Sequence, residues 1–173
     1  GEKLDYADVV WPMQRSLLEA CHAMKQIVRN WMSRHPLKID KSEGLNIAAE
    51  LMRQEGVHSL LVTQDGALAG VVTDVDISTA RSIEKKVGGP QAPRKILSVA
   101  DVMTRYPITI RPEEPLNQAI QLMGTHRIRC LPVLSLSGEI QGVLTMTDVL
   151  KFASIMAQYN DDEPQLEKVS GRL

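Results

Sequence analysis

A threonine and an aspartate recur at a fixed spacing in two separate parts of this chain. Gly70–Asp76 and Gly142–Asp148 both read glycine, two apolar residues, threonine, two variable residues and aspartate. If this segment ends a strand and begins a helix, the free N–H groups of the helix can hold an anion. The threonine hydroxyl can bind a phosphate oxygen, the carboxylate can accept from ribose hydroxyls, and the glycine lets a ligand approach the backbone closely. The pattern therefore favours two nucleotide sites.

The same residues have a second interpretation. Threonine followed three residues later by an acid is a helix-start pattern related to the capping box. Thr73 and Thr145 would then cap two helices, and Asp76 and Asp148 would favour the positive ends of the helix dipoles. On this interpretation the motifs stabilise helices and bind no ligand.

Both motifs belong to an internal repeat. Met32–Ile77 aligns with Met103–Val149 at an offset of 71 residues, which becomes 72 after a one-residue gap near Gln64, and 17 of 46 aligned pairs are identical. A duplicated unit of this kind predicts two similar halves that bury a shared face, with a related cleft in each. Because roughly 50 residues bury little surface alone, we expect one module built from both copies.

Apolar periodicity and turn residues predict the same element order in both copies. In the first we expect an extended segment at Pro36–Ile39, a helix capped by Ser42 and ended by Gly56, strands at Ser59–Thr63 and Leu68–Thr73 around an Asp65–Gly66 turn, and a helix from Asp74. In the second we expect a strand at Ile108–Ile110, a helix over Pro115–Met123, strands at Cys130–Leu134 and Ile140–Thr145 around Ser137–Gly138, and a helix near Thr147.

The remaining segments frame the two repeats. Apolar steps of three and four predict an amphipathic helix from Met13 to Trp31, packed on the module's own core or on a partner. We therefore divide the chain into an N-terminal amphipathic helix (1–27), a first repeat (28–84), a linker (85–98), a second repeat (99–155) and a flexible acidic tail (156–173).

Composition weighs against several classes of function. The 173 residues carry a formal charge of −1 and 3% aromatics, so nothing favours nucleic acid. The sequence shows no apolar run of membrane length and no export leader, so we expect a cytoplasmic protein without a membrane segment. Cys21 and Cys130 are far apart and the histidines lack metal-ligand spacing, so we expect neither a disulfide nor a metal site. Without a nucleophile–base pair or a Walker-type loop, we expect no catalytic residues.

Several motifs together identify a family resemblance. Each copy opens on Met-(Ser/Thr)-x-x-Pro and ends on the Gly-to-Asp motif, while Arg129–Val133 reads Arg-x-Leu-Pro-Val and His58–Val62 contains Ser-Leu-Leu-Val. Over roughly residues 28–152 this set resembles the cystathionine-beta-synthase (CBS) domain, and the tandem resembles a Bateman module. The resemblance implies an α/β (α+β) fold with two β-α-β-β-α repeats packed as one pseudo-two-fold module. The N-terminal amphipathic helix predicted from periodicity is an extra element.

The resemblance also implies a regulatory, non-catalytic role. CBS pairs bind adenine nucleotides (AMP, ADP or ATP) or S-adenosyl compounds in clefts between the repeats, and they commonly pair as flat homodimers. We therefore expect a regulatory ligand of this kind, no required cofactor, and an effector domain or protein that responds to it. The alternative is a dimerisation or protein-interaction module that binds no small molecule.

Carried over position by position, the resemblance assigns residues to each cleft. The base would be flanked by Leu37 or Ile108, with Lys38 or Thr109 next to it. Phosphate would meet Thr73 or Thr145, with His58 or Arg129 in reach, and ribose would meet Asp76 or Asp148. Thr147 adds a hydroxyl in the second cleft, where the first has Val75.

The second cleft is the closer match to the family. The first departs at Lys38, at His58 and at Asp74, an extra acid that would repel an anion. If only one cleft binds a nucleotide, we expect it to be the one with Thr145 and Asp148.

Overall fold

The computed structural model describes residues 26–87 and 97–161. The strands are β1 (Lys38–Asp40), β2 (Ser59–Gln64), β3 (Ala67–Thr73), β4 (Thr104–Arg105), β5 (Cys130–Leu134) and β6 (Ile140–Thr145). The helices are α1 (Leu45–Glu55), α2 (Asp74–Val87), α3 (Val99–Val102), α4 (Leu116–His126) and α5 (Met146–Asp161), and a 3-10 helix covers Val28–Asn30. The predicted α+β fold with two similar repeats is confirmed.

Each repeat completes its sheet with a segment from the start of the other repeat. In the first, β1 runs parallel to β2, β2 is antiparallel to β3, and β4 pairs with the far edge of β3. In the second, β5 and β6 are antiparallel, and Ser33 bridges to Val143 of β6 through two backbone hydrogen bonds of 2.9 and 3.0 Å. This reciprocal exchange, which was not predicted from the sequence, joins the two repeats through backbone hydrogen bonds between their sheets.

Gly70 and Gly142 lie where the exchanged segments cross β3 and β6. A Cβ atom at Gly70 would lie 2.6 Å from the backbone oxygen of Thr104, and one at Gly142 would lie 2.5 Å from that of Ser33. The close approach that the sequence analysis assigned to a ligand is therefore made by the protein's own backbone. A side chain at either position would push the crossing segment off the sheet.

The first strand of the second repeat is reduced to one bridge, between Ile110 and Val133. In the first repeat the N–H of Leu61 donates to the carbonyl of Leu37 at 3.0 Å, which helps to extend β1. The residue equivalent to Leu61 is Pro132, which has no N–H to donate. The strand predicted at Ile108–Ile110 therefore loses part of its ladder.

Three apolar clusters hold the module together. One fills the first repeat around Leu60, Val62 and Val72, and a larger one fills the second around Phe152, Leu131 and Leu144. The third lies between the repeats and contains Leu61, Leu68, Val71, Cys130, Ile140 and Val143. Because Leu68 and Val71 are the repeat equivalents of Ile140 and Val143, the interface has the predicted pseudo-two-fold character.

The predicted start of α1 is wrong by two residues. Gly44 is the N-cap, and Ser42 instead donates its N–H and hydroxyl to Oδ1 of Asp40 at 2.9 and 2.5 Å. These bonds lower the pKa of the Asp40 carboxyl, chiefly through the Ser42 hydroxyl. The end of α1 is as predicted, because Gly56 adopts the left-handed conformation with φ of 64°.

The predicted boundaries of the N-terminal helix, the tail and the linker differ from those in the structure. The N-terminal helix does not reach Trp31, because Ile27 is extended and Val28–Asn30 is a 3-10 helix; residues 1–25 lie outside the described residues. At the other end α5 continues to Asp161 and Met156 is buried, so the flexible tail does not begin at residue 156. Helix α2 likewise runs to Val87, into the predicted linker, of which residues 88–96 lie outside the description.

Candidate functional site

The two Thr-x-x-Asp motifs form matching reciprocal caps. The N–H and hydroxyl of Thr73 donate to Oδ2 of Asp76 at 2.9 and 2.7 Å, and the Asp76 N–H donates back to the Thr73 hydroxyl at 3.2 Å. Thr145 and Asp148 repeat this pattern at 2.9, 2.7 and 3.4 Å. The capping interpretation is therefore correct for both helices, and the hydroxyl hydrogen of each threonine is donated to a carboxylate.

Capping uses one oxygen of each carboxylate and leaves the other outside the cap. Oδ1 of Asp148 lies 3.8 Å from Nζ of Lys151, and the Asp148 side chain is 16% exposed. Such an oxygen can accept hydrogen bonds from a diol, so a cap and a ribose contact are compatible at one residue. Lys151 was not among the residues predicted from the sequence, although its position three residues after Asp148 places both on one helix face.

Sheet topology brings the predicted residues of the first cleft to one end of the sheet, which we call the first edge. Lys38 begins β1, His58 precedes β2, and Thr73 ends β3. Since β1 is parallel and β3 antiparallel to β2, these three termini meet at the same end of the sheet. The backbone confirms the approach, because the N–H of Asp74 donates to the carbonyl of His58 at 3.1 Å.

The second set is gathered in the same way. The N–H of Met146 donates to the carbonyl of Arg129 at 2.9 Å, and Cys130 pairs with Thr145. The bridge from Ile110 to Val133 is parallel, so Ile108 and Thr109 lie at the end of the sheet where β5 begins. Thr147 and Asp148 follow in the first turn of α5.

The two edges adjoin at the pseudo-two-fold axis. Ser59 and Cys130 are equivalent residues that begin β2 and β5, and they lie close enough for the Ser59 side chain to affect the Cys130 thiol. Burial raises the pKa of that thiol, the polar Ser59 side chain lowers it, and the nearby charge of Asp148 adds to the rise. The thiol is therefore protonated at neutral pH and serves as packing between the two edges.

The helix starts differ in charge. In the first repeat Nδ1 of His58 lies 2.8 Å from Oδ2 of Asp74, with the side chains 84% and 48% exposed, and Val75 follows at 59% exposure. The equivalent positions in the second repeat hold Arg129, Met146 and Thr147. The first repeat therefore has a histidine, an acid and an apolar residue where the second has a permanent cation, a neutral thioether and a hydroxyl.

Two surface cavities lie beside these edges. One of about 440 Å³ lies between α1 and α2 and includes His58 and Asp74. The other, of about 240 Å³, includes Thr109 and Ile110. Neither is lined by Thr73, Asp76, Thr145 or Asp148, so each takes in only part of its predicted set.

The described ranges 26–87 and 97–161 bear on two further features, a metal site and a membrane span. No group of three or more His, Cys, Asp or Glu side chains there is placed to hold a metal ion. No helix in the same ranges has the length and apolar character needed to cross a membrane.

Curated relatives match much of the chain. It is 30% identical over 153 residues to an inosine-5'-monophosphate dehydrogenase of Korarchaeum cryptofilum, covering 87% of this chain but only 30% of that enzyme. It is 28% identical over 131 residues to a CBS domain-containing protein of Dictyostelium discoideum, covering 73% of this chain and 90% of that protein. The chain therefore corresponds to under a third of the dehydrogenase and to most of the second relative.

Solved structures share the fold. The CBS domain pair of protein MJ0100, solved with 5'-methylthioadenosine and S-adenosyl-L-methionine, superposes with a TM-score of 0.67 at 21% identity over 76% of this chain and 98% of that one. CBSX2 in complex with AMP gives a TM-score of 0.61 at 27% identity, over 76% and 98%. The family model described as CBS domain matches residues 28–82 and 99–155, so this chain belongs to the CBS domain family as a tandem pair.

Proposed function

We propose that this chain is a regulatory module that binds an adenine nucleotide or adenosyl compound at the sheet edges between its repeats. The observation that carries the proposal is the partly buried Asp148 carboxylate, which caps α5 with one oxygen and keeps the other beside Lys151. A carboxylate held in this way is preorganised to accept hydrogen bonds from ribose hydroxyls. The AMP complex of CBSX2 supports the choice of ligand class.

In the second repeat the surroundings of Asp148 suit a phosphate. Arg129 precedes β5 at the edge where α5 begins, and Lys151 lies one turn into that helix. Because the Thr145 hydroxyl hydrogen is used in the cap, the better donors to phosphate are the exposed side chain of Thr147 and the N–H groups of the first turn. Ile108 and Thr109 would meet the base, which leaves Thr145 a structural role.

Regulation would act through the interface between the repeats. The proposed ligand edges meet at Ser59 and Cys130, so a bound ligand would bias how the repeats pack against each other. An attached effector would respond to that change, to the extent that the ligand binds one arrangement more tightly than the other. The same proposal assigns the chain a regulatory rather than catalytic role and the cytoplasmic location expected from its sequence.

The test is calorimetric titration of Asp148→Asn with AMP, ADP and ATP. Asparagine keeps an oxygen for the cap but removes the charge-assisted hydrogen bond to ribose, which contributes about 1.5–3 kcal/mol, so affinity should fall roughly ten- to a hundredfold. Asp101→Asn is the matched control, because Asp101 accepts equivalent capping bonds from Ser98 at 2.9 and 2.8 Å, outside the proposed site. Equal affinities in folded Asp148→Asn and Asp101→Asn would remove Asp148 from the site.

Exposed apolar side chains favour a second property, homodimerisation. They lie on α2 and α5 and on the neighbouring helix α1: Val75, Ile83, Leu150, Ile155 and Ile47. Sedimentation of wild type against Ile83→Glu measures this, and a dimer that dissociates in the variant is the expected result. A dimer that no adenine compound stabilises in a thermal-shift screen would instead favour the interaction module without a ligand.

A further inference from the structure

The larger cavity is a groove between α1 and α2, within the first repeat rather than between the repeats. It has a volume of about 440 Å³, and its floor is apolar, with Met52 and Ile77 buried at 4% and 2% exposure. Charged or titratable side chains line its rim, and these are Arg53, His58, Asp74 and Arg81. A cavity of this volume that combines an apolar floor with a few polar groups has the character of a small-molecule site.

One end of the groove is unfavourable for an anion. Arg53 donates to both carboxylate oxygens of Glu50 at 3.0 and 2.6 Å, so its charge is matched by an acid just outside the groove. Nδ1 of His58 lies 2.8 Å from Oδ2 of Asp74, which begins α2. A negative group placed at this end would meet the Asp74 carboxylate and be repelled by it.

Arg81 is the cation at the other end of the groove. Its guanidinium donates to the neutral Oδ1 of Asn46 at 2.8 Å, and it has no acidic partner among the side chains that the structure describes. Asp74 and Arg81 are seven residues apart on α2, which separates them by about 10 Å along the helix axis. Because a guanidinium presents a planar fork of donors to a carboxylate, this end can hold one anionic group.

The second repeat lacks the side chains that give this groove its width and its cation. At two lining positions it carries larger apolar side chains, and at a third it carries alanine in place of arginine. The equivalent pairs are Ala49 and Ile120, Ser78 and Leu150, and Arg81 and Ala153. The groove is therefore a property of the first repeat and does not follow from the shared fold alone.

We propose that this groove binds a compact organic monoanion, whose apolar body lies on the floor and whose carboxylate or similar group binds Arg81. Charge complementarity selects this class, because Arg81 accommodates one anionic group and Asp74 repels a second. The apolar side chains assigned to the homodimer, Ile47, Val75 and Ile83, lie on other faces of α1 and α2, so the two proposals do not compete. The site is separate from the proposed nucleotide site and does not rest on it.

Fluorescence titration measures binding with 8-anilinonaphthalene-1-sulfonate, an apolar monoanion, and with N-phenyl-1-naphthylamine, its neutral analogue. Wild type should bind one sulfonate per chain, and Arg81→Ala should weaken it roughly tenfold without affecting the neutral probe, because only hydrogen bonds to a charged group are lost. Ala49→Ile/Ser78→Leu inserts the side chains of the second repeat and should weaken both probes. Arg105→Ala is the matched control, since this exposed guanidinium donates to the neutral carbonyl of Ala100 at 3.2 Å, outside the groove.

Competition tests the charge at the other end of the groove. Octanoate should displace the sulfonate at a lower concentration than octanedioate, whose second carboxylate would approach Asp74. Equal affinities in Arg81→Ala and Arg105→Ala, or stronger competition by the dianion, would overturn the inference. Unchanged binding in Ala49→Ile/Ser78→Leu would overturn it as well, and Ser78→Leu alone replaces this variant if the double change prevents folding.

The variant Asp148→Asn separates this inference from the proposed function. It should weaken AMP and leave the affinity for the sulfonate unchanged. A parallel loss of both would place the sulfonate at the nucleotide site and overturn the inference. Failure of wild type to bind the sulfonate would also overturn it, whatever the affinity for AMP, whereas sulfonate binding that depends on Arg81 would support it even if no adenine compound binds.

Discussion

The reciprocal exchange of segments makes a quantitative prediction at Gly70. The Cβ of Gly70→Ala would lie 2.6 Å from the backbone oxygen of Thr104, whereas ordinary contact begins at 3.4 Å, so the crossing segment must retreat by about 0.8 Å. Retreat strains the pairing of β3 with β4, and overpacking of this kind costs about 1–3 kcal/mol. For a chain of this size the melting temperature should fall by roughly 2–12 °C. Gly142→Ala should behave alike, because its Cβ would lie 2.5 Å from the Ser33 oxygen.

Urea unfolding and calorimetric melting measure the effect against Gly44→Ala. A Cβ at Gly44 meets nothing within 4 Å, and its φ of −75° suits alanine. There the loss of N-cap preference and the smaller entropy of the unfolded chain oppose each other at about 0.5–1 kcal/mol each, so stability should stay near that of wild type. Since the nearest atom to Gly70 is backbone, trimming Met103 should not rescue Gly70→Ala. A Gly70→Ala protein as stable as Gly44→Ala would show that the segments do not cross β3 and β6 this closely.

Three other perturbations test parts of the same structure. Because burial raises the pKa of the Cys130 thiol, the folded state keeps a proton that the unfolded chain releases. This contribution to stability is complete below about pH 8.5 and is lost as pH rises through the folded pKa. Cys130→Ala should therefore lose less free energy of unfolding between about pH 8 and pH 10 than wild type, as measured by urea unfolding. Ser98→Ala removes a capping hydroxyl 2.8 Å from Asp101 and should lower the free energy of unfolding by about 1 kcal/mol, and an unchanged urea midpoint would contradict that role. Trp31 packs edge-on against Phe152 at 4.9 Å between ring centroids, so in a Trp11→Phe background its fluorescence should shift when AMP binds, and a constant spectrum at calorimetric saturation would contradict coupling through α5.

The fold was largely predictable because the repeat constrains it twice. Strands β5 and β6 begin and end where the apolar runs and the Ser137–Gly138 turn place them. The exchange of Ser33 and β4 was not predictable, because single bridges and two-residue strands carry no periodicity. The prediction at Ser42 failed for a different reason. The Asp40 carboxylate is a nearer acceptor, and it binds the hydroxyl that was predicted to cap α1.

The positions of the candidate-site residues could be predicted from the sequence, but the role of each residue could not. Thr73 and Thr145 read equally well as phosphate ligands and as caps, and only the geometry shows that their hydroxyl hydrogens are committed to the caps. The contact of His58 with Asp74 joins residues 16 apart, and Lys151 becomes relevant only once Asp148 starts a helix. Both contacts depend on which residues the fold brings together, and a pattern of residue types does not contain that information.

The shared use of one carboxylate gives a physical reason why binding at this edge would be felt at a distance. Asp148 fixes the first turn of α5, so a ligand that draws on its second oxygen pulls on the same turn that the Thr145 cap and Lys151 hold. One turn further along, Phe152 is fully buried and touches Trp31, which lies at the start of the first repeat in the segment that crosses to β6. A small rotation of α5 cannot be absorbed in so closely packed a contact, because cores repack between discrete arrangements rather than deform continuously. A ligand bound at Asp148 would therefore be coupled, through α5 and Phe152, to the segment around Trp31 that crosses to β6.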